Sequence, residues 1–593
     1  KPIHRGKMLL KADAKFYYAK GKSIDIEVRD SYALIPEKLS KFGEMFKLNV
    51  YKEIIPYGLF TKKNVDRRHI TDDECVQQLK NEYRSRNIGL DRNTAKYRLG
   101  LKQFIKEFFD NVDKWKCRVD LGVDIIKYSS EYCKMDCCVL ESGYNTFRSW
   151  IMEVCGLDIN LYISLPSLAN DYLTKEGVYD GVYKVSCVVR EFIQKAMVGG
   201  RTMCSENKKH HVKNQPLDDF DAVSLYPSAM HRLGGYLKGK PKIIRTTDYS
   251  TLKRYDGYFV EVLITSVGKH YKFPLASVMT HEGVRNFTND LVGRSIVVDK
   301  TSLEDLIHFQ QISFEIVRGY YYDEGRNSNL AATIEYLFNK RAQNRDNPIQ
   351  AVYKLLMNSA YGKTLLKPIE DDIKFVNIKD YDKYLIKNYN EIKEIVPLPN
   401  GREYIIKLYK SIDRHFNNCV CGVEVLSMSK RIMNEVMCLA EDISIDIYYQ
   451  DTDSMHIDSS KVKLLSESYR RLYDRELIGK GMGQFHTDFV SDIIKGGIKA
   501  IESIFIAKKC YLDVLEGSDG TTDYHIRMKG VSTNAIQYYT EQNNVSLVEL
   551  YTQLYEGEKK RFDLCCGGDA CAFEFHKNMT ISSRKNFFRE LCF

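Results

Sequence analysis

Polar and apolar positions alternate most plainly around residue 450. The segments ISIDIYY and SMHID, on either side of Asp451-Thr452-Asp453, alternate or run apolar and β-branched, which predicts the two arms of a hairpin with an acidic tip. Aspartates at i and i+2 on a strand end share one face. Upstream, PLDDFDAVSLYPSAM begins acidic and apolar, then meets Pro227, which ends regular strand pairing and puts Asp221 at a strand end. A helical period follows in IQAVYKLLMNSAYGKT: Ile349, Val352, Leu355 and Leu356 are apolar, Lys354, Asn358 and Tyr361 share a second face, and Gly362 is placed to end the helix. Between these two segments, YFVEVLI and SLEDLIHFQQISFEIV read as mixed strand and helix. After them, EIVPLPNGREYIIKL reads as a hairpin turned at Pro-Asn-Gly. The polar runs NEYRSRN and NKRAQNRDN read as solvated loops.

Composition narrows the class without fixing it. The 593 residues are 44% hydrophobic and 28% charged, enough for several packed domains. No apolar run is long enough to cross a bilayer and no signal peptide opens the chain, so a soluble, intracellular protein is expected, with no membrane partner. The chain opens on Lys1 and not on methionine, as a fragment does. Lys and Arg number 88 against 79 Asp and Glu, a net charge of +9 that permits nucleic-acid binding without demanding it. The 16 cysteines contain no CxxC pair, and the cluster Cys565, Cys566 and Cys571 lacks zinc spacing, which favours free thiols.

The charge pattern carries the chemistry. Two carboxylates held as close as Asp451 and Asp453 repel unless a cation sits between them, most simply a hard divalent ion. Mg²⁺ takes few protein carboxylates and completes its shell with water and phosphate, so the pair reads as half of a two-metal phosphoryl-transfer site. A solvated acidic turn has the same residues; Asp221, a third carboxylate at another strand end, separates the two readings. Tyr226 is placed to lie beneath a sugar ring and exclude a 2′-OH. Lys354 offers an ammonium to phosphates, and Asn358 and Tyr361 an amide and a ring to a nucleotide.

DAVSLYPS, KLLMNSAYG and YQDTDS, in this order, resemble motifs A, B and C of family B DNA polymerases. Upstream, QKAMVGGRT is similar to the YxGG linker of the protein-primed branch of phages, adenoviruses, linear plasmids and virophage-like elements; Gly199 and Gly200 match and Met197 replaces the tyrosine. AKKCYLDVL resembles that branch's KxY motif, and RMKGVS around Lys529 and Gly530 fits its passage from palm to thumb. The segments separating Asp221 from Lys354 and Gly362 from Asp451 resemble its two terminal-protein-region insertions, the second of which in the family wraps the template and confers processivity and strand displacement. The resemblance implies that Asp221, Asp451 and Asp453 hold two Mg²⁺ ions, for which Mn²⁺ can substitute. It further implies Leu225, Tyr226, Lys340 (or Arg341), Lys354, Asn358 and Tyr361 around the nucleotide. Along DNA it implies Thr452, Ser359, Gly362, Gly199, Gly200 and Ser31, with Lys509 and Tyr511 on the primer end.

EYCKMDCCVL gives Tyr132 and Asp136, which match the Y-x3-D of the third exonuclease motif of that family. DSYALIPEKLSKFGEMF resembles its (S/T)Lx2h region, with Ser31 kept and Tyr32 replacing leucine. So aligned, the chain begins after the first two exonuclease motifs, Asp25 and Glu27 are a decoy despite spelling DxE, and no editing activity is expected. The expected fold is α+β: a partial RNase H-like 3′–5′ exonuclease domain and linker (1–184) before a right hand. The hand comprises a first palm segment (185–245), insertion 1 (246–330), fingers (331–366), insertion 2 (367–414), a second palm segment (415–525) and thumb (526–593). The expected activity is template-directed DNA synthesis on a DNA template and primer strand with dNTPs, started on a terminal protein by a monomer. Alternatives are a nucleic-acid-primed family B polymerase and a catalytically silent DNA-binding protein of the same fold; a reverse transcriptase is disfavoured because that class carries adjacent aspartates.

Overall fold

The computed structural model describes residues 3–5, 8–86, 95–120, 122–281, 283–366, 371–410, 417–491, 493–566, 571–575, 581–585 and 588–593. Its centre is an antiparallel sheet of eight strands: β1 (Thr202–Cys204), β2 (His210–Ala222), β3 (Ile447–Asp451), β4 (Ser454–Asp458), β5 (Phe485–Thr487), β6 (Lys499–Ala507), β7 (Cys510–Glu516) and β8 (Thr522–Met528). They run in the order β8-β7-β6-β2-β4-β3-β1, with β5 paired to the end of β2. The middle strand β2 therefore takes partners from far downstream. β4 lies along one edge from Leu217 to Asp221, while β6 and then β5 share the other. That handover has a local cause: Asn214 has φ 61° and Pro216 has no N–H, so the ladder with β6 is irregular there. Beyond it Phe220 stacks on Phe485 with ring centres 5.3 Å apart.

Beneath the sheet run α1 (Leu225–Arg232) and α4 (Cys419–Asp442), beside the fingers pair α2 (Asn329–Gln343) and α3 (Gln350–Ala360). Their buried faces join one core with the long helix Ile125–Cys155 of the N-terminal region. The segment expected as the first insertion packs a separate core, to which α4 adds Cys438, beneath a four-stranded sheet (Lys242–Ile243, Ile312–Tyr322, Gly257–Val267, Ser295–Asp299) and the helix Lys300–Gln310. The second is more than the expected hairpin: Asp371–Asn377 adds a third strand beside Glu403–Tyr409 and Ile392–Pro397, and the helix Tyr381–Asn388 packs on it. The Pro-Asn-Gly tip is a turn, with Gly401 at φ 63°. β8 crosses the expected palm–thumb boundary at 525, and Thr533–Asn543 and Leu547–Tyr555 pack against the outer strands.

Three local expectations fail. NEYRSRN is not a loop through residue 86, because Asp72–Arg86 is a helix; Cys75 and Leu79, four apart, bury one face while good helix formers fill the other. NKRAQ closes α2 for the same reason, its buried face carrying Leu330, Ile334 and Leu337. Gly362 does not terminate α3 in the left-handed conformation: the helix ends at Ala360, and Gly362 donates to the Ser359 carbonyl in an ordinary turn. Asp25 and Glu27 lie on the charged face of the ribbon Met8–Ala19/Lys22–Arg29, where Lys15 is 3.7 Å from Asp25 and Lys11 is 2.8 Å from Glu27. No helix among the described residues is long and apolar enough to cross a membrane.

Candidate active site

The β3–β4 turn is the base of the site. Asp451 closes β3, Ser454 opens β4, and Thr452 between them takes φ 63°, a left-handed conformation that a β-branched residue adopts only under constraint. The constraint comes from the linker: the Thr452 N–H donates to the Arg201 carbonyl (2.9 Å), and a Cβ on Gly200 would sit 2.5 Å from the Thr452 methyl. Gly200 is thus required for close approach, whereas Gly199 has open space around it. Arg201 is 3% exposed and donates to the carbonyls of Phe273 (3.0 Å) and Pro274 (2.9 Å) and to Gln450. Burial pulls its pKa down to about 10.

Register brings the third carboxylate in. Asp221 on β2 stands opposite Ser454, and the Ala222 N–H donates to the Asp453 carbonyl (2.8 Å). Asp221, Asp451 and Asp453 therefore meet at the end of one sheet. Burial first, then the carboxylates of Asp453 and Asp488, push the Asp221 pKa up to about 8; burial, ahead of Asp451 and Asp219, raises that of Asp453. Asp451 has nearby donors in the Thr202 hydroxyl (3.1 Å) and the Lys509 ammonium (3.3 Å). The trio offers only hard carboxylate oxygens, three negative charges against the one ammonium of Lys509, a set that suits Mg²⁺.

After β2 the chain turns at Ser224 (φ 50°) straight into α1, so Pro227 lies in the first turn of a helix, where its missing N–H costs nothing. Tyr226 stacks on Tyr361 of the fingers, ring centres 4.2 Å apart, joining motif A to the end of α3. Leu225 is a core residue, 3% exposed, and its side chain does not reach the site. Of the adjacent cations Lys340 and Arg341, Arg341 faces inward: with Arg345, Lys480, Val223 and His486 it lines a groove of ≈ 450 Å³ beside Asp221. Lys340 instead lies over the Tyr336 ring at 5.6 Å. Burial, then the neighbouring Arg345, lower the Arg341 pKa. Lys354 and Asn358 line an adjoining groove of ≈ 530 Å³ with Arg341 and Arg345. Ser359 is half-buried in the last turn of α3.

Lys509 and Tyr511 separate. Lys509 sits at φ 58° in the β6–β7 turn, its N–H on the Tyr449 hydroxyl (2.8 Å), while Tyr511 is 5% exposed among Tyr449, Phe505, His456 and His525. Alternation along β7 sends Tyr511 into the core, so its ring is not on the surface as a primer contact requires. In the N-terminal region, the Lys52 ammonium bridges the Tyr132 hydroxyl and Asp136 (2.7 Å to the carboxylate) and leaves the second Asp136 oxygen buried without a partner. Ser31 opens a short 3₁₀ turn capped by Asp30, which anchors buried Leu34 and Ile35. Cys565 and Cys566 are free thiols; the Cys571 side chain lies outside the described residues.

Sequence reasoning missed Lys52, Arg201, Thr202, Arg345 and Lys480. Arg201 and Thr202 close the segment QKAMVGGRT and Arg345 lies in the polar run NKRAQNRDN, but no spacing marks any of the five, and each reaches its site through tertiary contacts.

The chain has relatives in sequence and in fold. A "Probable DNA polymerase" of Neurospora intermedia is 25% identical over 383 residues, 63% of this chain and 36% of that protein. One of Ascobolus immersus is 25% identical over 358 residues, 59% of this chain and 27% of that protein. The chain thus matches about a third of the length of these curated relatives. In fold it is similar to Phi29 DNA polymerase in an orthorhombic crystal form, with a TM-score of 0.56 at 13% identity over 98% of this chain and 82% of that one. The ternary complex of that polymerase with primer-template DNA and incoming nucleotide substrates gives the same TM-score at 14% identity and the same coverage. The family model for DNA polymerase type B, organellar and viral, matches residues 1–418, which include Asp221 and Lys354, while the Asp451 hairpin lies beyond it and joins them by strand pairing. By that match, over well more than half its length, the chain belongs to the organellar and viral type B DNA polymerases.

Proposed function

We propose that the chain synthesises DNA on a template by nucleotidyl transfer at Asp221, Asp451 and Asp453, and that synthesis begins on a hydroxyl of a terminal protein and proceeds with strand displacement. The observation that carries the reading is the meeting of three carboxylates, Asp221, Asp451 and Asp453, at one sheet end. Type B membership and the Phi29 enzyme's complex with primer-template DNA and incoming nucleotides support DNA and dNTPs as its ligands. The two insertion regions, each with its own sheet and core, support the protein-primed branch.

Asp221 and Asp451 would hold the divalent ions, with Asp453 completing the set. Two bound Mg²⁺ ions supply charge to the transferring phosphoryl group and lower the pKa of the attacking hydroxyl. Arg341, Arg345 and Lys354 take the triphosphate in the adjoining grooves. Lys509 offsets charge at Asp451 on the primer side. Tyr226, held by Tyr361, forms the floor under the sugar. Tyr226→Val is expected to cut discrimination against ribonucleotides by about 10–100-fold, read as the ratio of kcat/KM for dNTP and rNTP, with little change for the dNTP.

The reading is tested with radiolabelled dATP and Mg²⁺. Extension of a primed oligonucleotide establishes synthesis. Transfer of label to a candidate terminal protein without oligonucleotide establishes protein priming. Extension without such transfer overturns protein priming and leaves a nucleic-acid-primed polymerase; absence of both products overturns the proposal as a whole.

A further inference from the structure

Below the carboxylate trio lies a second cluster with a different donor set. Asp219 on β2, His456 on β4 and His525 on β8 bring one carboxylate oxygen and one ring nitrogen each within 4.8 Å of one another. His456 is fully buried, and its Nδ1 has no hydrogen-bond partner; neither has Oδ1 of buried Asp219, which faces it. The two atoms are 3.9 Å apart. That is too long for a hydrogen bond and wider than the roughly 3.3 Å between two ligands of a tetrahedral ion, so an ion bound here would draw the two atoms together by about half an ångström.

The surroundings are those of a built site. Asp513 on β7, fully buried and fixed by the Ser503 hydroxyl (2.7 Å), lies 3.1 Å from His456 Nε2 and 3.1 Å from His525 Nδ1. A carboxylate that accepts from one nitrogen of an imidazole sets its tautomer and leaves the other nitrogen's lone pair for a metal. For His456 that other nitrogen is Nδ1, the atom facing Asp219. The cluster also brings together two buried carboxylates, a combination that is costly without a cation. Around it Tyr449, Phe489, Phe505 and Tyr511 keep water out.

We infer that Asp219, His456 and His525 form a structural transition-metal site, oriented by Asp513 and suited to Zn²⁺. Imidazole with carboxylate suits Zn²⁺, whereas Mg²⁺ demands an oxygen shell. Two residues apart on the same strand, Asp219 and Asp221 would then serve different ions. The inferred ion ties β2, β4 and β8 together beneath the site, and it does not depend on the proposed function.

The test uses the full chain, purified without chelator and dialysed against excess Mg²⁺. About one zinc per chain is expected by plasma mass spectrometry, and Co²⁺ added to stripped protein is expected to give a visible absorption band. His525→Gln, at a partly exposed ring, is expected to lose at least about 90% of the metal while keeping its circular dichroism spectrum; Asp451→Asn is expected to keep the metal. Less than about a tenth of an equivalent of zinc together with no Co²⁺ band overturns the inference and leaves a proton on His456 as the cation. Zinc kept by His525→Gln but lost by Asp451→Asn also overturns it, since the ion then belongs to the neighbouring trio.

Discussion

Asp451→Asn lowers the rate of nucleotide incorporation by about a thousandfold or more, with primer-template affinity within about threefold of the parent. The expectation follows from position. Asp451 ends β3 among the three carboxylates, and its other neighbours, the Thr202 hydroxyl and Lys509, are both donors. An amide keeps the shape but removes the negative charge that a divalent ion needs, a loss of several kcal/mol in the transition state. DNA contacts are spread over a wide surface and barely sense one carboxylate. Single-turnover incorporation and filter binding separate the two quantities. Near-parental incorporation by the variant would move the centre away from the β3–β4 turn.

Arg201→Met is expected to loosen the same turn without touching substrate. The guanidinium is buried and serves the carbonyls of Phe273 and Pro274 and the side chain of Gln450, while the Arg201 carbonyl holds the strained Thr452. Methionine fills much of the volume and leaves those buried acceptors unsatisfied, at about 1–3 kcal/mol each, offset to some extent by the relieved cost of burying a charge. A net loss of about 2 kcal/mol in local stability corresponds to roughly thirtyfold faster amide exchange across residues 447–458, measurable by hydrogen–deuterium exchange. Unchanged exchange there would show that the turn is held by the sheet alone.

What the chain spells out locally, it spells out well. Asp221, Lys354 and the Asp451 pair stand where their segments' periodicity put them, the aspartates at strand ends and Lys354 within α3, because each belongs to an element whose pattern is set by near neighbours. Failures arose where sequence distance hid the partner. Lys509 and Tyr511 are joined by the resemblance alone: Lys509 sits in the turn before β7, and which face of β7 is buried depends on Tyr449, Phe505 and His525. Leu225 sits inside the most informative motif and is nonetheless core. Between Lys340 and Arg341 the phase of α2 decides, and a polar run mistaken for a loop carries no phase. The Asp219–His456–His525 cluster was illegible because its members come from three strands, each beside a louder motif.

The position of β2 in the sheet has a consequence for synthesis on the ribosome. Both its neighbours, β4 and β6, emerge only after two insertion regions, the fingers and α4 have been made. Through that interval the nascent strand has two open edges, the kind of surface that recruits other chains. Its sequence answers the hazard: Pro216 interrupts the row of donors, Asn214 bends it, and Asp218, Asp219 and Asp221 put three negative charges where a hydrophobic strand would pack best. The same aspartates that burden the finished core keep its middle strand from pairing too early with strangers.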